Sequence, residues 1–211
     1  MKTAALAVAA TLYATAAMAG SGPLTVEEAV SVKNAGSVVI SPDGERIAYV
    51  LSEPRTADED NGRSYNSIWM LKRGETVGRR FTRKTIGAGS PSFTPDSQKL
   101  LFTSKRGSNN QVWWIPVDGG EAQEITEDKS GVMGYRLSPD GSQIAYTTLA
   151  AEDATKKKAR DKGFDAEVVD TDHRHHVLKV VTIASGATVT VTPETSTAFE
   201  MDWSPDGKQL A

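Results

Sequence analysis

A short unit returns four times along this chain and restricts it to folds assembled from similar small sheets. Ser41-Pro42-Asp43-Gly44-Glu45-Arg46-Ile47-Ala48-Tyr49-Val50 recurs as Thr94-Pro95-Asp96-Ser97-Gln98-Lys99-Leu100-Leu101-Phe102-Thr103, and again as Ser138-Pro139-Asp140-Gly141-Ser142-Gln143-Ile144-Ala145-Tyr146-Thr147. A fourth copy, Ser204-Pro205-Asp206-Gly207-Lys208-Gln209-Leu210-Ala211, runs to residue 211. The copies start 53, 44 and 66 residues apart, and periods in the forties and fifties are those of propeller blades. Pro fixes φ at the first central turn position, Asp bonds back to the backbone, and Gly accepts positive φ, so each copy begins as a turn. The Ile-Ala-Tyr or Leu-Leu-Phe that follows favours a strand. The aspartates of these corners therefore have turn roles and are assigned no chemistry.

Each corner is followed by a third apolar stretch, at 66–71, 110–115 and 176–181, and then by a Gly-containing turn into a fourth, at 121–126 and 188–192. Four short antiparallel strands make one blade. The expected fold is all-β, a partial β-propeller of four-stranded antiparallel blades over 36–86, 88–127 and 132–192, with a truncated fourth blade completing the 36–211 region. Ile40, Phe93, Leu137 and Trp203 close the innermost strands and are expected in one equivalent buried layer. Two stretches break the period. The acidic run within 53–63 reads as a solvated loop between the second and third strands. The insertion at 150–172 carries Lys156, Lys157, Lys158, Arg160 and Lys162 and reads as a solvated helix or loop face; removing it brings the 66-residue interval to 43.

The N-terminus carries a different signal. Lys2 is followed by uncharged residues as far as Met18, and Ala17-Met18-Ala19 places small residues three and one before a cut, so residues 1–19 read as a secretory signal peptide. Cleavage leaves 192 of the 211 residues with a formal charge of −4 in place of −3, in the periplasm or outside the cell. Residues 20–35 form a lead-in with a short helix, Thr25 at its N-cap and Glu28 at the reciprocal capping position. A sequence pI near 5.7 gives no positive field for a phosphate backbone, which argues against a nucleic-acid partner, and no stable membrane span is expected after signal cleavage. With no Cys among the 211 residues, disulfides, thiolate metal sites and cysteine nucleophiles are excluded.

Few residues remain for chemistry. His173, His175 and His176 lie with Asp170 and Asp172 in Asp-Thr-Asp-His-Arg-His-His, a set of nitrogen and oxygen donors. On a strand His173 and His175 share one face and His176 takes the other, whereas a structural zinc site needs four converging ligands, so no metal residues are assigned. Trp113 and Trp114 must face opposite sides of their blade, where packing between blades, rather than an exposed ligand platform, accounts for at least one of them. No Gly-x-Ser-x-Gly occurs in the chain. No catalytic, cofactor-binding or metal residue and no cofactor is therefore assigned.

The Leu24-Thr25 lead-in, Val39-Ile40-Ser41-Pro42-Asp43-Gly44 with Ile47-Ala48-Tyr49-Val50, and the 165–186 stretch with Leu178-Lys179-Val180-Val181 together resemble the propeller half of bacterial serine peptidases of the prolyl oligopeptidase family, among them acylaminoacyl- and dipeptidyl-peptidase-like members. Ser-Pro-Asp-Gly repeats are also similar to those of TolB-like propellers. The resemblance implies a substrate-gating propeller of an exported peptidase, with peptides as partners through an α/β-hydrolase domain absent from these residues. It implies no catalytic residue here. The alternatives are a stand-alone exported TolB-like propeller that binds proteins or peptides, and a degenerate frame without function. An open blade edge further implies self-association.

Overall fold

The computed structural model describes residue 23, residues 25–164 and residues 174–211; the signal segment 1–19, and Asp170, Asp172 and His173, lie outside them. Three four-stranded antiparallel sheets follow one another along the chain. Blade 1 comprises β1 (Asn34–Ile40), β2 (Arg46–Glu53), β3 (Tyr65–Lys72) and β4 (Arg79–Arg80). Blade 2 comprises β5 (Ala88–Phe93), β6 (Lys99–Ser104), β7 (Gln111–Pro116) and β8 (Gln123–Glu124). Blade 3 comprises β9 (Gly134–Leu137), β10 (Gln143–Leu149), β11 (His176–Thr182) and β12 (Thr188–Thr190). In each, strand order follows chain order, as consecutive hairpins require. The fourth copy forms one isolated antiparallel bridge, Trp203 to Leu210, with Asp202 and Ala211 exchanging both backbone bonds.

The second strands of blades 2 and 3 are sandwiched, and the period of two sorts their side chains between two neighbours. Leu100 and Phe102 point back into the core shared with blade 1, with Ala48, Ile68 and Met70. Leu101 points forward, joining Val112, Tyr135, Ile144, Tyr146 and Val181. Ala145, Leu178 and Met201 form a smaller third core with Trp203 and Leu210 packed against it.

This polarity corrects one sequence expectation. Ile40, Phe93, Leu137 and Trp203 do occupy equivalent places, opposite Ile47, Leu100, Ile144 and Leu210, yet they are not equally buried. Phe93 is 8% exposed and Ile40 is 64% exposed, and Leu137 and Trp203 lie between. Every member of this layer points at the preceding blade, and no sheet of the described residues precedes blade 1. Ile47, Tyr49, Trp69 and Leu71 consequently remain half-exposed on the same outward face.

Outside the blades, α1 (Val26–Val30) carries the expected capping box: the Glu28 amide donates to Thr25 Oγ1 at 3.1 Å, and the Thr25 amide to the Glu28 carboxylate at 2.9 Å. The 53–63 connection is a largely exposed loop, as expected, and is tied together by its own side chains. Glu53 is buried between Lys33 and Arg80. Arg55 stacks 4.3 Å over the Tyr65 ring while donating to the Asp60 and Arg63 carbonyls, so one guanidinium closes the loop on itself. The lysine run forms α2 (Ala154–Arg160), exposed and capped by Asp153. Among the described residues no helix is long and apolar enough to cross a membrane.

Candidate functional site

The four corners are built alike. In each, the hydroxyl at the first position donates to the Asp carboxylate, at 2.5 Å for Ser41 to Asp43, Thr94 to Asp96 and Ser138 to Asp140, and 2.6 Å for Ser204 to Asp206. The same hydroxyl oxygen accepts the amide five residues on, from Arg46, Lys99, Gln143 and Gln209. Each carboxylate also accepts the amide two residues beyond it. These hydroxyl donations, then the amides, hold all four aspartates below their ordinary pKa, Asp140 at about 2. The carboxylates are fixed anions at the hairpin bends, in the turn role expected of them.

The corners also touch one another. A Cβ on Gly141 meets Pro95 Cδ at 3.1 Å, and one on Gly207 meets Pro139 Cδ at 3.6 Å. Between blades 1 and 2 the contact is a hydrogen bond, from the Asp43 amide to Ser97 Oγ at 3.1 Å. Ser97 replaces the glycine of the other copies and keeps their left-handed backbone, at φ 59°.

Above this stack lies a cleft of about 570 Å³ between the innermost strands of blades 2 and 3. Its walls are Ser90, Pro91, Ser92 and Phe93 on one side and Tyr135, Arg136 and Leu137 on the other, with Pro42, Pro95 and Pro139 below. Ser90 sits at φ 49° in a bulge of β5, and its carbonyl accepts the phenol of Tyr135 at 2.7 Å. Burial raises the Tyr135 pKa far above that of an ordinary phenol, so the group stays a donor. The Arg136 carbonyl accepts the Trp203 indole N–H at 3.2 Å. The lining holds apolar rings, prolines, one guanidinium and three serines, of which Ser138 has its hydroxyl tied to Asp140 in the corner turn, and no His, Asp or Glu is among the lining residues. Such a cleft can bind an extended apolar segment.

The residues weighed from sequence are dispersed. His175 Nδ1 lies 2.8 Å from Thr197 Oγ1, while His176 opens β11 and meets the Phe199 ring edge-on at 5.9 Å. Among the described residues no three His, Asp or Glu side chains gather as a metal would require. Trp113 packs on the core toward blade 1 and Trp114 on the core toward blade 3. Trp113 lies under Arg106 and Trp114 under Lys99, at 4.5 and 3.4 Å, so both tryptophans are inter-blade packing residues.

A second repeated device went unread in the sequence. Thr82, Thr126 and Thr192 each follow a short outer strand, and each hydroxyl accepts a third-strand amide, from Ile68, Val112 and Leu178, at 2.8 to 2.9 Å. The signal for it was the apolar-Thr pair that ends each blade: Phe81-Thr82, Ile125-Thr126 and Val191-Thr192.

Comparison with known proteins places this geometry among relatives. The TolB beta propeller domain matches residues 25–176. The chain is 27% identical over 202 residues to the uncharacterized peptidase YuxL of Bacillus subtilis, covering 89% of this chain and 30% of that protein. It is 24% identical over 149 residues to dipeptidyl-peptidase 5 of Porphyromonas endodontalis, covering 71% and 21%. Among solved structures, TolB from Acinetobacter baumannii aligns with a TM-score of 0.56 at 20% identity, over 85% of this chain and 37% of that one. Pyrococcus horikoshii acylaminoacyl peptidase aligns with 0.60 at 13% identity, over 82% and 27%. The chain thus spans no more than 37% of any of these four proteins.

Proposed function

Because this chain belongs to the TolB beta propeller domain family, we propose that it is the substrate-gating N-terminal propeller of an exported serine peptidase of the prolyl oligopeptidase type. In this reading residues 1–19 direct export and are removed, and peptide hydrolysis belongs to an α/β-hydrolase domain outside these residues. Relatives named as peptidases over most of this chain's length support the reading. The observation that carries it is the inner cleft, an apolar, proline-lined surface that suits screening of extended peptides. The outward face of blade 1, with Ile40 exposed and Ile47, Tyr49 and Trp69 half-exposed, favours self-association of the isolated chain.

A second reading, a stand-alone exported propeller that binds proteins or peptides, is favoured by one observation: the chain covers 53% of the putative TolB from Agrobacterium tumefaciens, more than of the peptidases. One experiment separates the two. The coding DNA beyond codon 211 is read for further blades and a Gly-x-Ser-x-Gly elbow. If they are present, the longer product is compared with a version lacking 36–211. Gating predicts that short peptide substrates are cleaved by both and that long unfolded proteins are cleaved faster without the propeller. Absence of the elbow, or equal rates on long substrates, overturns the peptidase reading. Recovery of a periplasmic chain beginning at Gly20 tests export.

A further inference from the structure

A second cleft, of about 420 Å³, runs along the outer side of the boundary between blades 1 and 2. The linker after β4 gives it Phe81, Thr82, Arg83 and Ile86, and the turn after β6 gives it Arg106. Its far wall is Ile115, Gly120, Glu121 and Ala122.

Its polar groups differ from those of the inner cleft. Arg83 and Arg106 reach it from different blades, and among the described residues neither forms an ion pair with a carboxylate within 4.0 Å. Arg106 is held in place. Its guanidinium lies 4.5 Å over Trp113 and 5.8 Å from Phe102, which leaves the edge bearing its N–H donors free of the ring faces. Burial and then the charge of Arg83 lower the Arg106 pKa, and Glu124 opposes this weakly from outside the lining. Two arginines and one acid, Glu121, line this space, and among the described residues neither arginine is ion-paired within 4.0 Å, so the net positive charge is one that an anion relieves. The far wall is apolar at Ile115 and Ala122 and carries the Glu121 carboxylate beside them, and the volume suits one or two amino-acid residues.

We propose that this outer cleft binds a carboxylate carried on an apolar group, the C-terminal residue of a peptide or a free acyl amino acid. Arg83 and Arg106 share the carboxylate, and Phe81, Ile86, Ile115 and Ala122 receive the side chain. The site stands apart from the inner cleft and does not require the peptidase reading, since a TolB-like binding propeller would present it equally.

The test uses the 211-residue chain and follows tryptophan fluorescence, with Trp113→Phe as the control that removes the responding indole among the four, because a ligand drawing Arg106 off the Trp113 indole changes its emission. N-acetyl-leucine is titrated beside N-acetyl-leucinamide, a C-terminal-leucine tetrapeptide and sodium acetate. Saturable binding of N-acetyl-leucine on the order of 1 mM is expected for a ligand of this size, with the amide and acetate each at least tenfold weaker. Comparable affinity of the tetrapeptide assigns the site to peptide termini, and a tetrapeptide that fails to bind assigns it to free acyl amino acids. Arg83→Ala, at an exposed position, and Arg106→Lys, which keeps charge and stem but lacks the fork, are each expected to weaken binding at least tenfold. Binding of the amide as tight as the acid, or affinity unchanged in both variants, overturns the proposal.

Discussion

Replacing Asp128 by alanine tests how one linker ties blade 3 to blade 2. The carboxylate is nearly buried, its side chain 6% exposed, and accepts four bonds: from Lys179 Nζ at 2.7 Å, from Thr148 Oγ1 at 2.8 Å, from the Ser130 amide at 2.9 Å and, at 3.5 Å, from the Tyr146 phenol. Thr148 is fully buried, so alanine leaves its hydroxyl without this acceptor, which costs about 1–3 kcal/mol. Lys179 is 26% exposed and recovers water, so loss of the ion pair adds only about 0.5–1 kcal/mol. The expected total is about 1.5–4 kcal/mol, or roughly 3–16 °C in Tm for a chain of this size. Asp128→Asn keeps an acceptor for Thr148 and should lose about 1 kcal/mol. The sign of the pH dependence follows from the carboxyl. Burial works to raise its pKa, but Lys179, the Ser130 amide and Thr148 outweigh it and the pKa falls. A depressed folded pKa contributes stability above the unfolded value near 3.9, lost as pH drops through the folded pKa. Urea unfolding followed by tryptophan fluorescence at pH 7 and in steps below pH 4.5 measures both effects. Asp128→Ala within 0.5 kcal/mol of wild type at pH 7, or an acid limb as steep as wild type, would refute the account.

Three further outcomes follow from the corners and the inner layer. Ser97→Ala keeps the left-handed strain and loses the bond from Asp43, whereas Ser97→Gly loses the bond but relieves the strain, so urea midpoints should place alanine about 1 kcal/mol below glycine. Gly141→Ala at φ 74° meets Pro95, while Gly44→Ala at φ 71° meets nothing within 4 Å; both should destabilise by about 1 kcal/mol, with Gly141→Ala the worse in calorimetry. Phe93→Ala should cost about 3–4 kcal/mol and Ile40→Ala under 1 kcal/mol in chemical unfolding, although the two positions are equivalent, because only Phe93 has a sheet to point at.

The blades were legible because turn chemistry is local: Pro-Asp-Gly and the strand after it need no distant partner to declare themselves. The inter-blade layer was legible in position but not in burial, since repeat phase assigns Ile40 its place and cannot say whether a sheet lies in front of it. The pairing of Trp113 with one core and Trp114 with the other followed from strand alternation alone. What escaped were contacts between residues far apart in sequence. The Asp128 bond to Lys179 spans 51 residues, and Arg83 and Arg106 come from two different connections. Arg55 was hidden differently, for a composition rich in Asp and Gly conceals a single cation that organises the loop around its carbonyls.

In a sheet with one wet face, a strand that slips by one residue puts its apolar side chains into water and is penalised at once. Blade 2 has no wet face. A slipped β6 would still bury Leu100, Leu101 and Phe102, only handing each to the wrong neighbour. Hydrophobicity alone therefore proofreads alignment poorly in the interior blades, and the check passes to the polar bends. A slip there breaks the Thr94 hydroxyl's grip on the Lys99 amide and the Asp96 carboxylate's on Gln98 together. The bends thus act as alignment locks, and their conserved geometry across all four copies keeps the large side chains pointing back and the Ala48, Leu101 and Ala145 positions pointing forward.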